Sequence, residues 1–205
     1  MNLLRLSLPA IIGLTGLFSP VQAALIFTLD QDGCTGTCGA APFGTVTLVQ
    51  TTATLVTVTE TLSGWFAGTG AGDALEFNVA GPIVIGNLIA GFAVGPSPDT
   101  ASKFGGFLAS VTCTVCQGGN QSNPAGPLSF TITSATGISI SDFKANGGGY
   151  YFASDIIGRN GNTGNVAARN SITPVPEPAS FVTLLSGVGL LGLGITIRHF
   201  HMGRK

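Results

Sequence analysis

Residues 44–62, GTVTLVQTTATLVTVTETL, decide the fold. From Gly44 to Gln50 apolar and polar side chains alternate, which puts Val46 and Leu48 on one face of an extended strand. The same two-residue period returns between Ala53 and Leu62, with Val56, Val58 and Leu62 together. Successive side chains of a strand point to opposite faces. Each segment therefore reads as a strand with a buried apolar face and a solvated, threonine-rich one. Thr51 and Thr52 are the expected hairpin connection between them.

Flanking segments repeat this pattern. Residues 25–29 (LIFTL) form an apolar strand, and residues 74–80 (ALEFNVA) place Leu75, Phe77 and Val79 together with Glu76 and Asn78 outward. Further strands are expected at residues 83–85, 88–94, 128–133 (LSFTIT), 137–143 (GISISDF) and 150–157 (YYFASDII). One or two more fall within residues 104–116, and a weaker one at 166–168. Turns rich in glycine, proline and asparagine separate them. About ten short strands spaced this way predict two packed antiparallel sheets, an all-β sandwich. Between residues 24 and 173 no amphipathic segment of helical period stands out.

Both ends of the chain differ from this body. Residues 1–23 hold Arg5 as their one charge, an apolar run through Leu17 and Phe18, Pro20, and then Val21-Gln22-Ala23. Small or β-branched residues at −3 and −1 suit a signal peptidase, so a signal peptide cleaved after Ala23 is expected, with Ala24 the second candidate. Toward the other end, Pro174, Pro176 and Pro178 alternate with Val175 and Glu177. Proline fixes φ and removes an amide donor, so residues 174–178 read as a stiff extended spacer. Residues 179–197 carry no charge. A helix of that length reaches about 28 Å, close to the hydrocarbon thickness of a bilayer, and is expected to span a membrane. Arg198, His199, His201, Arg204 and Lys205 follow as a basic tail that would stay cytoplasmic. An unprocessed membrane anchor and a buried core helix are the competing readings; the uncharged run followed by a basic stop speaks against the second.

The order of spacer, span and basic tail resembles the PEP-CTERM sorting signal of Gram-negative bacteria. The matching residues are Val175, Pro176, Glu177, Pro178, Ala179 and Ser180, then the Leu/Gly-rich span and the Arg/Lys cluster. The tail departs from many members by interposing two histidines. The resemblance implies that Val175, Pro176, Glu177 and Pro178 are recognised by an exosortase, a membrane-embedded cysteine transpeptidase. It further implies an inner-membrane stage oriented by Arg198, Arg204 and Lys205, followed by release to the cell surface or an exopolysaccharide matrix.

Composition bounds what the body, residues 24–173, can do. Its eight acidic residues against Lys103, Lys144, Arg159 and Arg169 give a net charge of −4, with no basic footprint for nucleic acid. Both histidines lie in the tail. The usual general base, the Ser-His and Cys-His pairs and the commonest zinc ligand are therefore missing from the body. Glu60, Asp73 and Glu76 remain as carboxylates for acid–base work, but their spacing singles out no pair. Polar strand faces or turns are their expected places. No catalytic residue and no cofactor is expected.

The four cysteines form two close pairs, Cys34/Cys38 and Cys113/Cys116. Export places them in an oxidising compartment, where disulfides are expected. Local bridges within each pair are the favoured connectivity; crossed bridges and a four-thiolate metal site are the alternatives. Asp30 and Asp32 in Asp30-Gln31-Asp32-Gly33 have the carboxylate spacing of the front of a calcium loop. No glutamate closes an EF-hand, which leaves a looser calcium site or a polar turn. Trp65, Tyr150 and Tyr151 lie by glycine-rich loops and are candidates for stacking on sugar rings, against core packing as the alternative. Two roles are expected for the exported body: a structural or adhesive matrix component, or a carbohydrate-binding module.

Overall fold

The structure, a computed structural model, describes residues 23–172. The expected signal peptide, the spacer with Val175, Pro176, Glu177 and Pro178, the span 179–197 and the tail with Arg198, Arg204 and Lys205 lie outside the described residues. The strands are β1 (Ala24–Leu29), β2 (Gln31–Asp32), β3 (Gly44–Thr52), β4 (Leu55–Leu62) and β5 (Trp65–Phe66). Next come β6 (Leu75–Phe77), β7 (Val84–Gly86), β8 (Phe92–Val94), β9 (Asp99–Ala101), β10 (Gly105–Phe107) and β11 (Ala109–Cys113). The last are β12 (Leu128–Thr133), β13 (Phe152–Ile157), β14 (Thr163–Ala168) and β15 (Ser171–Ile172). One 3-10 turn, Ile140–Asp142, lies between β12 and β13.

Every strand pairing is antiparallel, and the protein is all-β as expected. The first sheet runs β15-β1-β3-β4-β12-β7, the second β2-β14-β13-β6-β11-β8 with β5 added on β13. Their apolar faces meet in one core. Phe27 of β1 packs edge-on against Phe152 of β13 at 4.8 Å, and Phe77 of β6 stacks on Phe130 of β12 at 5.9 Å. The alternation at residues 44–62 performs as expected: Val46, Leu48, Val56 and Val58 are fully buried, and the intervening threonines face outward.

Local chemistry shifts several boundaries. Thr51 and Thr52 are not the hairpin turn; β3 continues through Thr52, and Ala53 and Thr54 make the turn. An irregularity between Gln50 and Thr52 adds a residue to β3 and moves the reversal. Residues 137–143 do not form a strand. There Ser139 accepts from the Ser141 amide (3.3 Å) while Asp142 accepts from the Ser139 amide (2.8 Å), a capping box that winds the chain into the 3-10 turn. Gln50 holds this turn from outside, donating to the Ile138 carbonyl and accepting from the Ile140 amide. Residues 166–168 belong to a six-residue strand, β14, that is buried along most of its length.

The largest departure is Glu60. It belongs on neither a polar face nor a turn: the period that buries Val56, Val58 and Leu62 points Glu60 into the core too, where it is 0% exposed. Val46 and Leu128 flank it in register. Both carboxyl oxygens lack a hydrogen-bond donor. Burial pushes the Glu60 carboxyl well above its ordinary range, and Ser154 opposes this weakly. The Ser154 hydroxyl is already committed to the Ala74 carbonyl at 2.7 Å. Glu60 is thus held as the neutral acid.

A group whose folded-state pKa is raised binds its proton more tightly when folded, so it withdraws stability as pH climbs from the unfolded value toward the folded one. Glu60→Leu is expected to raise stability near neutral pH by about 1–3 kcal/mol, the cost of an orphaned buried polar group. The gain over wild type should grow between pH 4 and 8 in paired thermal melts; a gain that shrinks with pH would contradict an inward Glu60.

Candidate functional site

The second sheet is covered on both faces. Its outer face meets the β9–β10 hairpin, which lays Ala101, Phe104 and Phe107 over Ala153 and Ala167. Alanines on β13 and β14 let the hairpin approach, and the phenylalanines fill the space. Tyr150 extends this layer, its ring edge-on to Phe104 at 4.9 Å.

Polar side chains share this covered face. Glu76 on β6, Asp155 on β13 and Asn165 on β14 are 0%, 0% and 1% exposed. Their strands are neighbours, and Asp155 lies directly opposite Asn165 in register. Asp155 accepts from the Thr69 amide (3.0 Å) and hydroxyl (2.7 Å) through Oδ2. Glu76 accepts from the Asp73 amide (2.9 Å) through Oε1. The Asn165 amide donates to the carbonyls of Ala71 (2.8 Å) and Ser102 (3.4 Å). Glu76 Oε2, Asp155 Oδ1 and Asn165 Oδ1 remain buried without a donor.

Two loops bring further acid. Asp73 precedes β6 and accepts from the Ser110 hydroxyl, while Asp99 opens β9 and accepts from the Thr100 amide. Glycines let these loops press close. A side chain at Gly72 would collide with Glu76 Oε1 and lie within 2.9 Å of both polar atoms of the Asn165 amide; one at Gly95 would meet Asp73 Oδ2 and Ser110 Oγ.

The electrostatics follow from this crowding. Burial first, then the charges of Asp99, Asp73 and Asp155, push Glu76 up to about 8 against the pull of the Asp73 amide. Burial raises Asp155 in spite of its two bonds from Thr69, and the Asp73 charge adds to the rise. Asp99 rises by burial and by its carboxyl–carboxyl hydrogen bond and like charge with Asp73, opposed by the Thr100 amide. The four cations of the body bind elsewhere: Lys103 to the Cys34 carbonyl, Lys144 to the Ser141 carbonyl, Arg159 to the Ser63 carbonyl and Arg169 to the Tyr150 hydroxyl.

The cysteines pair locally, Cys34 with Cys38 and Cys113 with Cys116, as favoured, and the crossed and four-thiolate arrangements are excluded. Asp32 organises the first bridge. Its Oδ1 accepts from the Cys34 amide (2.9 Å), and its Oδ2 from the Cys38 amide (3.0 Å) and the Thr37 hydroxyl (2.6 Å). Partial burial raises the Asp32 carboxyl, but those three bonds and the Lys103 charge outweigh it and hold it below 3.8. Asp32 and the two cysteine sulfurs lie close enough together to hold a metal ion, yet the disulfide removes both sulfurs as thiolate ligands. Asp30 accepts from the Gln31 side-chain Nε2 and is exposed. The structure does not bring Asp30 into the Asp32 loop.

The aromatic candidates are also apart. Trp65 on β5 lies opposite Ile157, at the far end of β13 from Tyr150 and Tyr151. Tyr151 packs on Phe27 at 5.1 Å, and Tyr150 carries the Arg169 guanidinium 4.8 Å from its ring centre. An apolar groove of about 410 Å³ lies between edge strands β7 and β8, where Ile83, Ile85, Val94 and Leu108 face it beside Ser97 and Ser110. Asp155 and Asn165 leave only a faint signal in the sequence, an acid and an amide set in the mostly apolar runs FASDII and GNVAA.

Comparison with protein-family models, with curated proteins and with solved structures finds no match to this chain.

Asp32→Ala leaves two amides and a hydroxyl without their shared acceptor and is expected to cost about 1 kcal/mol, as loss of a cap does. Because the Asp32 carboxyl is depressed, its contribution is present above pH 3.8 and fades as pH falls through the folded value. Chemical denaturation of both forms at pH 7 and pH 2.5 should therefore show the difference narrowing in acid; an undiminished gap would assign the role to something other than the carboxylate.

Proposed function

We propose that this chain is an exported protein delivered to the cell surface or exopolysaccharide matrix through a PEP-CTERM signal, with a structural or adhesive role there and no enzymatic one. The single observation that carries the reading is the succession of Pro176-Glu177-Pro178, nineteen uncharged residues and a basic tail. The rigid spacer presents the recognised residues at the membrane–water boundary, the span holds them there for an exosortase-type transpeptidase, and Arg198, Arg204 and Lys205 orient the helix.

Features of the body support this reading. Strand β1 opens at Ala24, one residue past the expected cleavage point, and β15 closes at Ile172, two residues before Pro174. The two strands pair, Ile26 opposite Ile172, so a compact body fits between the two removable ends. Two disulfides suit an oxidising compartment. The groove between β7 and β8, with Val94 56% and Leu108 62% exposed, offers apolar contact area for adhesion. Trp65, Tyr150 and Tyr151 do not share one platform, which favours the structural role over sugar stacking.

Intact-mass measurement of protein recovered from the cell surface tests the sorting step. Wild type is expected to lack residues 179–205, and Glu177→Ala to retain them and stay with the inner membrane. If both forms keep those residues and fractionate alike, the sorting reading is wrong.

A further inference from the structure

We propose that the layer between the second sheet and the β9–β10 hairpin is a calcium site, held by Glu76, Asp155 and Asn165 from the sheet and by Asp73 and Asp99 from the covering loops. It is independent of the sorting reading and stands on the donor set itself. Three oxygens on three adjacent strands, Glu76 Oε2, Asp155 Oδ1 and Asn165 Oδ1, are buried on one face and accept from nothing. An orphaned buried oxygen is rare in a native protein, and three together call for a common partner.

The chemistry of these groups selects the partner. All are hard oxygens, with no imidazole or thiolate among them, which suits calcium or magnesium rather than a transition metal. Asn165 adds to the case, because an amide oxygen takes up no proton of its own and needs a donor or a cation. Its nitrogen is anchored to Ala71 and Ser102, which fixes the oxygen on the side where Glu76 crowds Gly72. Four carboxyls are drawn together here while Lys103, Lys144, Arg159 and Arg169 all bond elsewhere. A divalent ion neutralises such a set where no side-chain cation does.

Calcium fits better than magnesium. Magnesium demands a near-ideal octahedron and retains water, whereas calcium accepts six to eight oxygens in irregular array. Among the described residues no three carboxyl oxygens of this set lie within 4.8 Å of one another. Binding therefore requires these carboxyl oxygens to close up around the ion. Asp73 lies beside Gly72, and Asp99 opens β9.

The test uses the full chain in detergent, stripped with a chelator and titrated with calcium chloride or magnesium chloride. Equilibrium dialysis is expected to show one saturable calcium per chain. The melting temperature should rise by about 5–10 °C at a hundred-fold excess over Kd, with a smaller rise in magnesium. Glu76→Gln and Asp155→Asn each remove one charge at constant shape and should weaken binding roughly ten-fold or more while the apo proteins stay folded. Asp30→Asn, on the exposed side, should bind as wild type does. Calcium binding absent at millimolar concentration, or unchanged in both isosteric variants, would overturn the site and leave a layer neutralised by protons alone.

Discussion

A sheet covered on both sides has no solvent face, and this constraint shapes the second half of the molecule. Strands β13 and β14 bury both their inner and outer side chains. The inner ones, Phe152, Ile156 and Val166, join the core shared with the first sheet. The outer ones beneath the hairpin and its neighbouring loops are small, as Ala153 and Ala167 are, or polar and bonded to the covering loops, as Asp155 and Asn165 are. The first sheet instead carries threonines on its outer face, half-buried to exposed.

Two kinds of buried carboxyl result, and they differ physically. Glu60 is a lone acid between apolar neighbours, raised by burial and held neutral with little help from Ser154. A residue of that kind withdraws stability without organising anything around it. Glu76 and Asp155 lie in company, each half satisfied by loop amides and hydroxyls, with their free oxygens on the same side as that of Asn165. Glu60 has no such polar company, and that separates the two kinds.

The covering hairpin is secured at its tip and along β10. Lys103 at its tip donates to the Cys34 carbonyl at 3.0 Å, inside the loop that Asp32 and the Cys34–Cys38 bridge hold rigid. At the turn into β10, Asn146 donates to the Phe104 and Gly106 carbonyls. A short disulfide loop constrains few residues of the unfolded chain and contributes modestly by itself. Its greater effect is to give the hairpin a fixed anchor over the acidic layer.

Much of the fold was legible in the chain. The alternation at residues 44–62 and 128–133 specified strands and their faces, because a period of two is the signature of a half-buried strand. The same period carried Glu60 inward beside Val56 and Val58, though its charge suggested otherwise; the backbone decides the direction of a side chain, and its chemistry then adapts. Cysteines three and four residues apart indicated local bridges. The capping box at Ser139 to Asp142 was also written locally, and it outcompeted an alternation that looked like a strand. What only the tertiary structure decided was the second cover. Residues such as Glu76 read correctly as pointing away from the core, yet which distant segment lies over that outer face depends on where the chain returns after some twenty residues, and no local period encodes that distance. Sequence alone therefore set the strands and their inward faces, while packing of the β9–β10 hairpin turned outward polar residues into buried ones.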